Sequence, residues 1–473
     1  MVFSSSLFLL YFLPVFFGIY FLSPQKLKNL VIVLASLFFY TWGAPLFVFV
    51  LCSSLVLDFY VAKQIAKSKE KGKRAWLVFS IITSVALMLY FKYANFFIEN
   101  VNQMLSGLGA TTIEWTKVAL PVGISFFTFH QLSYIIDVYR GVKKPMTNLI
   151  NYGLYILFFP QLIAGPIIRF NEISDQIIER RKQETIDNKL IGIFRFIIGL
   201  SKKVLIANTM GAVADSLFNS PIAELGTQQA WIAILAYTFQ IYFDFSGYSD
   251  MAIGLARIMG FVFPENFNNP YIAESITDFW RRWHITLSRW MRDYLYIPLG
   301  GNKVSNGRMY LNLWIVFLIS GFWHGASWNF VIWGTYHGLF LIFDRLFLVK
   351  ATSKIGRAPR IVLTFFIVVI GWVFFRIEHF EDALLFISKL FTFHSPALGI
   401  QITRSFYVLF LVAVFFSFWS VSSSIEKFQL QFYNYLGATY QWLSFSLVAI
   451  VLLFISIIEI TSSSFNPFIY FRF

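Results

Sequence analysis

Stretches of Phe, Leu, Ile and Val long enough to cross a bilayer recur along this chain with few charges inside them. That pattern restricts the fold more than any single motif does. A helical crossing needs about 20 apolar residues, and roughly ten runs approach that length. The first covers Ser5 to Leu22 and the last Leu443 to Ile460. The runs are continuous rather than alternating, which excludes a transmembrane β-barrel. Backbone polar groups in lipid must be bonded within the chain, so the expected fold is an all-α polytopic membrane protein. Only 13% of the 473 residues are charged, about half the share of a soluble domain. The single cysteine, Cys52, sits in an apolar run. It supports neither a disulfide framework nor a thiolate metal cluster, and no metal site is expected.

The formal charge of +14 falls between the apolar runs, which suits an anionic membrane surface and not a nucleic-acid groove. Basic segments follow the first span (Lys26, Lys28), the third (six Lys or Arg from Lys63 to Arg74) and the fifth (Arg140 to Lys144). The segment from Glu99 to Lys117 holds two acids and one lysine. With positive loops inside, the N-terminus is expected outside the cytoplasm and retained as a first helix. The run from Leu149 to Phe170 is interrupted by Pro160, Gly165 and Pro166. It reads either as a re-entrant or broken helix or as a kinked span. Lys189 to Met210 is apolar but carries Arg195, Lys202 and Lys203, so it lies at the interface or faces protein. The expected organisation is one membrane domain over 1–473. It has N-terminal spans in 1–117, a motif-bearing core in 118–376 and C-terminal spans in 377–473.

Polar chemistry concentrates between Gln240 and Gly338, which holds His284, His324 and His337. His324 lies late in an apolar span expected from Leu311 to Trp333, with glycines at 321, 325 and 334. An ionisable group there marks a site or pathway, or else bridges helices as a neutral ring. His337 comes thirteen residues later, about 220° around and about 20 Å along one straight helix. It therefore reads as supporting unless the glycines break the helix. Around His284, Trp280, Trp283, Leu287 and Trp290 share a face while Arg281, Arg282, Arg289 and Arg292 crowd the others. This predicts one interfacial amphipathic helix, braced by Asp278–Arg282 and Arg289–Asp293 pairs. Arg281, Arg282 and Trp283 are the candidates for holding an anionic donor's phosphates. Asp244 and Asp250 are expected to pair with basic residues of neighbouring helices. Asp244, Ser246, Asn329 and His337 are also the candidates for lining a tunnel. Signatures for a serine-elbow hydrolase, P-loop, dinucleotide fold or zinc protease are missing. A transporter or flippase for a lipid-linked glycan remains a competing reading, since buried histidines and broken helices suit it as well.

Six segments, in order, carry a resemblance: LPVGISFFTFHQLSYIIDVYRG, FFPQLIAGPIIRF, IYFDFSGYSDMAIGLARIMGF, NFNNPY, DFWRRWHITLSRWMRDYLYIPLGG and SGFWHGASWNFVIWGTYHG. From about Leu120 to Phe375 the chain resembles the membrane-bound O-acyltransferase family, in its bacterial branch acting on polysaccharides such as alginate. The resemblance implies a curved ring of transmembrane, tilted and re-entrant helices, roughly ten or more, around a central tunnel. It implies His324 as catalytic, with His284 as the second functional polar position. It also implies acetyl-CoA as a donor substrate with no permanently bound cofactor. The acceptor would be an extracytoplasmic polysaccharide, reached through an SGNH-type partner, with the protein in a bacterial inner membrane. D-alanyl transfer to teichoic acid is the nearest alternative within that resemblance. A neutral imidazole, with an ordinary pKa of about 6.5, can take a hydroxyl proton at neutral pH.

Overall fold

The structure is a computed structural model that describes residues 1–393, 402–434, 439–462, 465–467 and 469. Its regular elements are helices, and no strand occurs among the described residues. Among the described residues, six helices are long and apolar enough to cross a bilayer: Phe47–Lys67, Glu70–Gly107, Trp328–Thr352, Arg357–Arg376, Arg404–Val421 and Tyr440–Ser462. The all-α polytopic expectation holds on length and composition. The described chain packs as two compact units, one built mainly from 7–183 and one from 184–260 and 264–473.

In the first unit, the Lys-rich stretch expected as a loop is almost entirely helical. Phe47–Lys67 ends and Glu70–Met88 begins with only Ser68 and Lys69 between them. Lys, Glu, Gln and Ala are good helix formers, so the basic residues extend the ends of two helices instead of looping out. Extended backbone at Ser68 (φ −84°, ψ 155°) and Lys69 makes the turn.

The proline-interrupted run in this unit is a complete break. Leu149–Leu157 stops at Phe158, a single turn Phe159–Leu162 follows, and helix resumes only at Phe170. Gly165 is required at the bend, because a Cβ there would collide with the backbone of Pro160 and Gln161. Side chains of neighbouring helices meet the freed backbone groups. Ser36 Oγ accepts from Phe159 N (3.1 Å), His130 Nε2 accepts from Ile168 N (3.3 Å), and Tyr155 Oη donates to Ile168 O (2.9 Å). Irregular backbone at membrane depth persists only when it is satisfied in this way.

In the second unit, Ile186–Ser201 and Thr227–Ile258 cross with glycine against glycine. A Cβ on Gly199 would stand 2.5 Å from the carbonyl oxygen of Gly247, and one on Gly192 2.7 Å from that of Gly254. The glycines recur at seven-residue spacing on both helices, which keeps them on one stripe and lets the backbones touch. At that range the charges of one helix reach the acids of the other. Asp250 takes Arg195 (2.9 Å) and Lys202 (2.6 Å), and Asp244 takes Lys203 (2.9 Å). Arg195, Lys202 and Lys203 of the 189–210 stretch thus face protein, and both aspartates are paired as expected.

Candidate active site

Every residue singled out for chemistry lies in the second unit, but two segments there differ from their sequence patterns. The stretch expected as one amphipathic helix is two short helices, Ile276–Arg282 and Ile285–Met291. Between them Trp283 is extended, and His284 is left-handed (φ 44°, ψ 53°). Strand-like contacts with the 266–268 loop hold the break open: Asn268 N donates to Arg282 O and Ile285 N to Asn266 O, both at 2.9 Å. The tryptophan periodicity runs across this break, which hides it.

The span expected from Leu311 to Trp333 is likewise two helices. Asn306–His324 ends at an extended Gly325, and Trp328–Phe343 starts after it. A Cβ on Gly325 would enter the Phe330 ring, and Gly321 and Gly334 let the two helices close on each other. His324 is therefore the last residue of its helix. The reversal places it beside Trp333, with ring centroids 5.2 Å apart, and His337 lies 5.0 Å from the same indole. One continuous helix would have kept the two histidines apart, whereas the hairpin sets one tryptophan against both.

His324 is buried and is the ionisable side chain on a crevice otherwise walled by Ile241, Phe245, Trp283, Trp372, Phe375 and their neighbours. The crevice measures about 10 Å³, near the space one water needs. Ile469 closes part of it, and its N–H donates to Asp244 Oδ2 at 2.9 Å. The C-terminal segment thus reaches the crevice, which no sequence pattern signalled.

His284 is buried and stands edge-on to Phe245, 4.7 Å between centroids. Burial pushes its imidazole pKa down to about 3, so the ring is neutral. Its Nδ1 lies 3.0 Å from Asn266 Oδ1, and its Nε2 has no partner among the described residues. His337 is enclosed by Trp280 and Trp333, with neither nitrogen bonded there.

A second, larger cavity of about 530 Å³ adjoins the short helices. Arg281, Arg289, Arg292 and Arg345 line it, with Trp280, a few hydroxyl side chains such as Ser320 and apolar groups, and among the described residues no acid lines it. Trp280 packs on Trp333 (5.6 Å between centroids), so one pair of indoles stands between this basic cavity and the His324 crevice.

The three donor-binding candidates go separate ways. Arg281 faces the basic cavity. Arg282 is held by Asp278, the expected i,i+4 pair, and by Glu426, both at 3.1 Å. Trp283 is buried on the crevice wall. Arg289 and Arg345 join Arg281 instead, and Asp293 is bonded by Arg292 at 2.7 Å. Of the tunnel candidates, Asp244 is paired with Lys203, and Ser246 is buried with no partner for its hydroxyl among the described residues. Asn329 donates to Ile377 O at the end of Arg357–Arg376. Among the described residues no cluster of His, Cys, Asp or Glu is arranged to hold a metal.

Comparison with known proteins adds independent findings. Residues 124–377 match the family model described as MBOAT, membrane-bound O-acyltransferase family. The chain is 45% identical over 395 residues to the Probable alginate O-acetylase AlgI of Pseudomonas aeruginosa, covering 83% of this chain and 75% of the relative. It is 41% identical over 419 residues to the Peptidoglycan O-acetyltransferase of Helicobacter pylori, covering 81% and 78%. The Teichoic acid D-alanyltransferase of Bacillus subtilis is 31% identical over 277 residues, covering 55% and 69%.

Proposed function

This chain belongs to the membrane-bound O-acyltransferase family, and from that premise we propose that it moves acetyl groups from acetyl-CoA to hydroxyls of an extracytoplasmic polysaccharide, of the alginate type. The observation that carries the reading is the pairing of two compartments. One is an arginine-lined cavity large enough for part of a nucleotide thioester. The other is an apolar crevice with a single ionisable group, His324, and an indole pair stands between the two.

In this reading Arg281, Arg289, Arg292 and Arg345 hold the donor's phosphates by charge-assisted bonds. The thioester carbonyl passes Trp280 toward His324. The acceptor oxygen bonds the carbonyl carbon while His324 takes its proton. The C–S bond then breaks, and the proton passes to the departing thiolate. A dry, preorganised crevice strengthens each electrostatic contact in that step and spares solvent reorganisation. His284 is the second functional imidazole. The 118–376 core carries the chemistry in an inner membrane, with the N-terminus extracytoplasmic, and an SGNH-type partner completes delivery to the polysaccharide.

The test is thiol release and label transfer from radiolabelled acetyl-CoA by purified protein, with an oligomannuronate as acceptor. His324→Gln keeps a hydrogen-bonding side chain but cannot take the proton. It is expected to lose roughly 10²–10⁴-fold in rate while remaining monodisperse and binding coenzyme A. Near-normal transfer by folded His324→Gln would remove this histidine as the base.

A further inference from the structure

The NFNNPY segment has no part in the reading above, yet the side chain of its first asparagine bonds both His284 and Thr286. We infer that Asn266 is a positioning residue for acyl transfer, whose side-chain oxygen fixes His284 as the Nδ1–H tautomer and leaves Nε2 as a buried lone pair that accepts from a hydroxyl of the acceptor sugar other than the one His324 deprotonates. The inference rests on the acyl-transfer reading for its role, but the tautomer follows from local geometry alone.

A backbone N–H can only donate. Thr286 N faces one terminal atom of the Asn266 amide at 3.3 Å, and Thr286 Oγ1 donates to the same atom at 2.8 Å. That atom must therefore be the oxygen. The opposite amide corner, the nitrogen, donates to Ser249 Oγ at 3.0 Å on the Thr227–Ile258 helix. With the amide orientation fixed by the Thr286 N–H, and the Ser249 hydroxyl free to accept at the other corner, the His284 nitrogen 3.0 Å from the oxygen has to carry hydrogen. In a neutral imidazole one nitrogen donates and the other accepts, so the proton on Nδ1 leaves Nε2 bare. The bond made by one ring nitrogen sets the state of the other.

The backbone is built around the same contact. His284 adopts a left-handed conformation that L-residues rarely take, and Asn266 O caps the following helix by accepting from Ile285 N. Asn266 is itself almost fully buried, at 1% exposure. Phe245, against which the His284 ring stands, also lines the His324 crevice, so the imidazole is one ring away from it. Asn266 and Phe245, which bond and stack against this ring, carry no charge. A neutral His284 with bare Nε2 accepts hydrogen bonds and cannot give one there. It thus serves a second hydroxyl of the acceptor sugar, not the oxyanion that forms on the thioester.

The tautomer is read directly by ¹⁵N NMR of histidine-labelled full-length protein in lipid nanodiscs, with His284→Gln assigning the signal. A protonated-nitrogen shift at Nδ1 and a bare-nitrogen shift at Nε2 are expected. The reverse pattern would overturn the assignment whether or not the protein transfers acetyl.

The role is read by kinetics with acetyl-CoA and oligomannuronate. Asn266→Leu removes the acceptor and frees the tautomer. It should lower kcat roughly 10–100-fold, the usual cost of losing a partner that orients a functional histidine, with little change in KM for acetyl-CoA. Asn266→Asp keeps the acceptor but places a carboxylate beside Nδ1–H, which favours the imidazolium. An imidazolium cannot accept at Nε2, so the acid limb of the kcat profile should move to higher pH, with kcat recovering at the alkaline end. A purely structural Asn266 would lower the amount of active protein without moving that limb. An unshifted limb in well-folded Asn266→Asp would therefore sink the role. A wild-type protein that releases no thiol would instead reject the acyl-transfer reading and leave the NMR result to decide the tautomer.

Discussion

Lys203 and Arg195, on the stretch after Ile186, and Arg281 and Arg289, on the short helices after Ile276, are all cations in a chain that is mostly hydrocarbon. The first two are buried and paired, Lys203 with Asp244 and Arg195 with Asp250 and Glu265. Among the described residues the other two have no acid partner and border a cavity of about 530 Å³. The difference lies in what the surrounding backbone permits. Where glycines let two helices touch, a charge on one finds an acid on the other. Where the helix is interrupted at His284, the arginines are turned onto open space. The buried, paired cations brace the scaffold, whereas Arg281 and Arg289 line a cavity with no acid partner among the described residues.

The sharpest way to break that contrast is Lys203→Met. It strands Asp244 with its N–H bond from Ile469 but no counter-charge. Removing one partner of a buried pair costs about 3–5 kcal/mol, so a large fall in the thermal unfolding midpoint and loss of monodispersity in detergent are expected. Unchanged stability would erase the distinction between bracing and binding cations.

Next come Arg281→Ala and Arg289→Ala, which should leave stability alone and weaken coenzyme A binding by about 1–3 kcal/mol each, measured by titration calorimetry. Normal affinity in both would empty the basic cavity of its proposed role. The smallest effect belongs to Arg282→Ala, one residue from Arg281. Because Arg282 is committed to Asp278 and Glu426, donor affinity should be unchanged and stability lower by about 1 kcal/mol or less. A loss of affinity as large as that of Arg281→Ala would merge the two classes.

Much of this arrangement was readable from the residues. Apolar runs located the helices, because a bilayer allows few alternatives. Glycines at 321, 325 and 334 pointed to close backbone approach around His324, although the run from Leu311 to Trp333 read as one span and is a hairpin. The charges at 195, 202 and 203 demanded partners, which Asp244 and Asp250 supply. What escaped depends on contacts between residues far apart in the chain. The tryptophan stripe from 280 to 290 has helical spacing, yet the helix breaks because the Asn266–Asn268 backbone bonds into it. Arg345 lies more than fifty residues beyond Arg289 and joins its cavity only through the hairpin. Neither Asn266 nor Ile469 bears a charge or a motif position that sets it apart from its neighbours. The Lys63–Arg74 stretch misled in the other direction: high charge suggested a loop, but those residues are strong helix formers.

The place of Trp333 has a consequence for how the enzyme can be dissected. Its indole is a wall for His324 and for His337, and it also meets Trp280 at the edge of the basic cavity. Substitutions add up only when the altered residues share no partner. Here the two histidines and the edge of the basic cavity share one. Rate losses from changes at 280, 324 and 337 are therefore not separable quantities, and apportioning catalysis among them requires thermodynamic cycles that include Trp333 itself.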